Sequence, residues 1–215
     1  MNTLFFIIIL IILIIIINIS NVYKAPLREF FDKKKKIILV GDSIFKNNNY
    51  ASISVEDTIK EQYPDALILA EDNAVIYDAK NQLSQIGNNL DKSNTYIYIS
   101  VGGNDILNHY HFSPKSNTHQ LDKIYNAYVK LINSLRFKKA NIVLTTIYFP
   151  PTYKEFHPLI RNWNKKLQQL SNEKGFELLP LHKYMKYKYH FVDAIEPSVS
   201  GSKIIANTIF RNANQ

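Results

Sequence analysis

The sequence predicts an α/β domain: a three-layer α/β/α sandwich around a five-stranded, mainly parallel sheet. Three observations predict it. Short β-branched or aromatic runs alternate with stretches whose apolar residues recur at helical spacing. Two of the runs stop at glycines followed by polar residues, Gly41-Asp42-Ser43 and Gly102-Gly103-Asn104-Asp105. The segments between runs are long enough for helical crossovers, which makes the strands parallel and covers the sheet on both faces.

The elements follow in order. Four apolar residues, Ile37 to Val40, form the first strand and end at Gly41. Ser52 to Tyr63 has helical spacing (Ile53, Val55, Ile59) and stops at Pro64, which cannot continue a helix. Ala66 to Ala70 is the second strand, and Glu71 to Tyr77 leaves it. Ala79 to Leu90 reads as a helix with Leu83, Ile86 and Leu90 inward. Thr95 to Val101, β-branched and aromatic, is the third strand. Leu121 to Phe137 repeats apolar residues as a helix does, and Asn141 to Tyr148 is the fourth strand. Pro150 and Pro151 open a loop before a helix from Leu159 to Asn172, whose end is marked by Gly175. Phe176 to Leu179 is a short fifth strand, and Ser198 to Phe210 a closing helix.

The chain divides into three parts: residues 4–23, 24–36 and 37–215. Leu4 to Ile17 is uninterrupted apolar sequence with no polar face, so it does not suit a globular helix. As a helix it rises roughly 21 Å, and with Asn18 to Tyr23 it comes close to the roughly 30 Å of a hydrocarbon core. It reads as a single-pass membrane anchor. A cleaved signal segment, giving a secreted domain, is the competing reading. Against cleavage, no lysine or arginine precedes the run and no small-x-small site follows it. Residues 24–36 form a basic juxtamembrane linker interrupted by Pro26. Its lysines would favour a cytoplasmic domain and a mild attraction to anionic headgroups.

Composition narrows the function. Lysine and arginine number 26 against 18 aspartate and glutamate, a formal charge of +8, but no basic and aromatic nucleic-acid module is evident. Cysteine is absent, which excludes disulfides and thiolate metal sites. There is no metal-ligand cluster and no phosphate-cradling glycine loop, so no cofactor is implied.

Parallel strands end on one side, so the loops carrying Ser43, Asn104 and Val192 to Pro197 should meet at one sheet edge, where such folds bind ligands. A serine there suits a nucleophile, while its plain structural use is to cap the next helix. These blocks together resemble the SGNH (GDSL-type) hydrolases, whose sheet is flavodoxin-like, over Ile37 to about Phe210. Gly41-Asp42-Ser43 is similar to that family's first block and Gly102-Gly103-Asn104-Asp105 to its third. Asp193-Ala194-Ile195-Glu196-Pro197 is similar to its last block, which normally reads Asp-x-x-His-Pro. The resemblance implies Ser43 as nucleophile, Asn104 and the Ser43 N–H as oxyanion donors, and Asp193 as the carboxylate that orients the base. It also implies an acyl ester or acylated glycan as substrate.

Two positions depart from the family pattern. The second-block glycine, another oxyanion donor, is missing; Tyr77 aligns best there and Asp78 next. The histidine position is Glu196, and no Asp-x-x-His occurs in the chain. A glutamate is the weaker base by about two pKa units. If Asp193 and Glu196 both faced Ser43, repulsion would raise one pKa. The expectation is little activity near pH 7. The readings are an esterase or deacetylase using Ser43, Asp193 and Glu196, or an inactive binding module on the same fold. Trp163, Tyr148, Phe149, Tyr153 and Phe156 read as core and rim, or as the wall of an acyl or sugar site.

Overall fold

Ile37 to Val40 are wholly buried, as a strand covered on both faces must be. The computed structural model describes residues 35–109, 114–135 and 137–215. The expected anchor, residues 4–23, and the linker up to residue 34 lie outside them. β1 (Lys36–Gly41) is the second strand of a five-stranded sheet in the order β2-β1-β3-β4-β5. Its partners are β2 (Leu67–Ile68), β3 (Thr95–Ser100), β4 (Asn141–Thr145) and β5 (Glu177–Leu179). Every pairing in this sheet is parallel.

The strand side chains alternate between two cores. Ile38, Val40, Ile97 and Ile99 face α2 (Ile76–Ser84), α4 (Pro114–Ser134) and α5 (His157–Lys174). Ile37, Leu39, Tyr98 and Val143 face α1 (Val55–Gln62) and α6 (Val199–Ala213). The three expected layers are present. The strand order reverses between β1 and β3, so the loops leaving those two strands flank the crevice where open α/β sheets bind ligands.

Local chemistry sets the element ends. Ser54 and Asp57 cap α1 reciprocally: the Asp57 N–H donates to Ser54 Oγ at 3.0 Å and the Ser54 N–H to Asp57 Oδ2 at 2.8 Å. Gly175, φ 70°, closes α5 in the left-handed conformation. Ser198 Oγ accepts from the Gly201 N–H to start α6.

Several boundaries differ from expectation. β4 ends at Thr145 because the Asn164 amide takes over the next peptide, accepting from Ile147 N at 2.9 Å and donating to Ile147 O at 2.7 Å. β2 is two residues long because the chain diverges from β1 while still donating Leu69 N to Leu39 O and Glu71 N to Gly41 O. The helix expected over Ala79 to Leu90 is α2, which starts earlier and ends at Ser84; Ile86 and Leu90 are buried beyond it. α4 begins at Pro114, ahead of the expected Leu121. Two elements were not anticipated: α3 (Gly103–Asn108), and a hairpin of β6 (Phe191–Val192) with β7 (Glu196–Pro197).

Candidate active site

The site begins where β1 stops. Gly41 has φ 143°, and a Cβ there would lie 1.8 Å from Ser100 O on the neighbouring strand. Only glycine fits so close an approach. The Gln82 side chain from α2 holds this peptide at both ends, accepting from Gly41 N at 2.8 Å and donating to Gly41 O at 3.0 Å. Asp42 follows, buried, with Oδ1 accepting from Ile44 N at 3.1 Å. Burial pushes its pKa up to about 8; the Ile44 N–H opposes this, and Glu196 and Asp105 add to it.

Ser43 is turned toward the β6–β7 hairpin. Its hydroxyl donates to Glu196 Oε1 at 3.1 Å. Glu196 is only 7% exposed, and its Oε2 is buried with no hydrogen-bond partner. Its pKa rises to about 7, mainly by burial; the Ser43 hydroxyl opposes this, and Asp72 and then Asp193 reinforce it. The site therefore contains a carboxyl raised toward neutrality, as a crowded carboxylate would be. Desolvation does most of this, not a shared-proton pair with Asp193.

The hairpin is pinned at several points. Tyr148 donates its hydroxyl to Ile195 O at 2.9 Å. Asn47, fully buried, donates to Pro197 O at 2.8 Å and Ser202 Oγ at 2.7 Å, and accepts from Val55 N at 2.8 Å. One side chain thus links the segment after Ser43 to the segment after Glu196. Asp193 and Ala194 turn the hairpin with φ 45° and 69°. Asp193 is exposed at this tip.

Asn104 lies in the first turn of α3 and lines the same pocket as Ser43 and Glu196. Its amide nitrogen donates to Ala74 O at 3.0 Å, a bond that uses one of two amide protons. Asp105 accepts from Ile76 N at 3.1 Å. These two side chains fasten α3 to the segment where the family glycine was sought. Tyr77 is 71% exposed on α2 and is not among the residues that line the pocket.

Ser43, Asn104 and Glu196 are therefore brought together, and Asp193 and Tyr77 are not. Among the described histidines none lines the pocket. His190 is buried and accepts at Nδ1 from Lys186 N at 3.2 Å. Trp163 is fully buried beneath Gly102, where a Cβ would meet its ring at 2.4 Å, so it is core. Tyr148, Tyr153 and Phe156 do line the pocket. Gln82 and Asn47 escaped the sequence reading, because a buried amide inside a helical pattern or a run of asparagines carries no local signal. The pocket is a partly open cleft with a cavity volume of about 60 Å³, and Ile106, Leu107, Ile147, Phe156 and Ile160 form its apolar wall. Among the described residues no group of three or more His, Asp or Glu could hold a metal.

Solved structures share this architecture. A lipolytic protein of the G-D-S-L family from Veillonella parvula superposes with TM-score 0.66 at 15% identity, over 82% of this chain and 97% of the other. A GDSL-like lipase from Bacteroides thetaiotaomicron gives 0.65 at 15% identity, over 85% and 89%. An acetylxylan esterase from Geobacillus stearothermophilus gives 0.62 at 17% identity, over 85% and 95%. No curated protein matches. At such identities the likeness establishes the fold alone. The sequence profile of the GDSL-like lipase/acylhydrolase family matches residues 37–209, most of the chain and all three site loops, and the chain belongs to that family.

Proposed function

We propose that this domain hydrolyses an acyl ester with Ser43 as nucleophile and Glu196 as general base. One observation carries the reading: a buried serine hydroxyl donating at 3.1 Å to a buried glutamate carboxyl, both lining one pocket. Ser43 Oγ attacks the ester carbonyl carbon while its proton passes to Glu196. The carbon–alkoxide bond breaks, and the alcohol leaves with that proton. Water then attacks the acyl-serine, Glu196 again takes and returns the proton, and the carboxylic acid departs from a restored Ser43. The Asn104 amide and the Ser43 N–H are the donors to the oxyanion. The Ile44 N–H supports Asp42 in bracing the turn.

A second reading has a specific observation behind it. Asp193 is exposed, and among the described residues no histidine lines the pocket for it to orient. A pocket of this kind would bind an ester or acylated glycan without turnover. Turnover of p-nitrophenyl butyrate by the wild type, Ser43→Ala and Glu196→Gln separates the two. The hydrolase reading expects each variant to lose roughly 10²-fold or more. Absence of turnover in a folded wild-type protein leaves the binding module. We also propose that residues 4–23 anchor the protein in a membrane. The charge-free apolar run supports this; among the described residues no helix is long and apolar enough to cross one.

A further inference from the structure

The pocket has two chemically different sides. The first lies past Asn104. Ile106 and Leu107 on α3, Ile147 after β4, and Phe156 and Ile160 at the start of α5 form a continuous apolar wall. The second lies around Glu196 and is polar: Asp42, Ser43 and Glu196 itself line it. Asp72 and Asp193 are not among the lining residues, but their charges reinforce the raised pKa of Glu196. Tyr50 donates its hydroxyl to Asp72 Oδ2 at 2.8 Å. Asp72 Oδ1 and Glu196 Oε2 are buried without partners.

Reaction geometry assigns the two sides. The base that receives the serine proton returns it to the leaving alcohol, so the alcohol oxygen sits beside Glu196. The carbonyl oxygen points to the Asn104 amide. The acyl chain takes the remaining direction, along the wall from Ile106 to Ile160. We propose that the site selects esters whose acyl chain is longer than acetyl, carried on a polar alcohol that bears no negative charge. An acetyl group would leave most of that wall uncovered, and each added methylene it buries is favourable. On the alcohol side, the unpaired Glu196 Oε2 attracts a hydroxyl or ammonium donor, and the Glu196 carboxylate repels a phosphate. This inference rests on the hydrolase reading above.

The test uses the full chain in two parts. The first compares p-nitrophenyl acetate with p-nitrophenyl hexanoate. At roughly fourfold in kcat/KM per buried methylene, hexanoate should exceed acetate by at least about tenfold. Leu107→Trp, which fills the apolar side, should lower that ratio by roughly tenfold; a ratio taken within one variant is insensitive to how much of it folds. The second compares hexanoyl choline and hexanoyl glucose with hexanoyl glycerol phosphate, and expects the first two to be favoured by roughly tenfold. Preference for acetate, a ratio unmoved by Leu107→Trp, or preference for the phosphate ester overturns the proposal. If no ester is turned over, the hydrolase reading fails on its own. Hexanoate and acetate are then compared by the rise in Tm they cause. A rise with hexanoate alone upholds the selectivity of the pocket, and equal or absent rises overturn it.

Discussion

On the proposed hydrolase reading, Glu196 takes the place of the family's histidine, and burial gives it some of the behaviour of one. A carboxylate ordinarily ionises near 4.5, but burial moves this one to about 7. Only the ionised form accepts the proton of Ser43. Catalysis in the wild type should therefore rise with pH through about 7 and level off above it, which a pH profile of kcat/KM records. Glu196→Gln should abolish that limb with a loss of roughly 10²-fold or more; a limb that persists would assign it to another group. Glu196→His should remain active, with its limb moved toward the ordinary imidazole value of about 6.5. Asp42 makes the matching prediction for stability. Its pKa is raised from 3.8 to about 8, so the fold favours its neutral form. That contribution is complete in acid, below the unfolded value, and is lost as pH rises through about 8. Asp42→Asn keeps an acceptor for Ile44 N and removes the ionisation. Its Tm should exceed that of the wild type at pH 8 and match it near pH 4, with a difference on the order of 4 kcal/mol at neutral pH. Equal pH dependence of Tm in both proteins would show that Asp42 is not the group being strained.

Among the elements, the site depends most on how the Ser43 turn is tied to the hairpin. Asn47 makes three buried bonds, to the start of α1, to Pro197 beside Glu196, and to Ser202 in α6. Asn47→Ala orphans a backbone N–H and a carbonyl together, and should cost about 3 kcal/mol or more in denaturant unfolding. It should also lower kcat more than it raises KM, since Glu196 is displaced relative to Ser43; a purely structural role would leave kcat intact. The same comparison explains what was legible. The strands were readable because β-branched runs such as Ile37 to Val40 are covered on both faces, and Gly41 and Gly102 mark the points where they stop. Helix α2 was displaced in the reading because Ile86 and Leu90 are buried without being helical, so their spacing mimicked a longer helix. The β6–β7 hairpin was invisible because its turn uses Asp193 and Ala194 at positive φ, where glycine or asparagine would have announced it. Of the residues that line the pocket, Ser43 and Asn104 were legible from their motifs, and Glu196 from its position relative to Asp193. The shift in Glu196 could not be read, because it arises mainly from burial that only the folded chain creates. The fastening of the turn after β2 was equally illegible, because it is held by Asn104 and Asp105 from α3.

At the scale of the molecule, the match to the family begins at residue 37, so the segment before it must be judged by its own chemistry. Leu4 to Ile17 contains only leucine, isoleucine and phenylalanine. At about −0.3 to −0.6 kcal/mol each for insertion, fourteen such residues favour the bilayer by on the order of 6 kcal/mol. The basic residues Lys24, Arg28 and Lys33 to Lys36 all follow the run. Positive charge resists translocation, so the catalytic domain should stay on the cytoplasmic side. The proposed anchor therefore makes a joint prediction. The full chain should remain in the membrane pellet after alkaline carbonate washing, while a chain beginning at Lys24 should be released to the supernatant. In sealed vesicles of cytoplasmic-side-out orientation, added protease should digest the domain without detergent. The sequence at the N-terminus of the mature protein decides between anchor and leader. A protein that starts at Met1 keeps the anchor, and one that starts near Asn21 has lost a signal segment and would refute it. Protection from protease in an intact, pelleted protein would keep the anchor and reverse the orientation, showing that the lysine cluster does not set the topology.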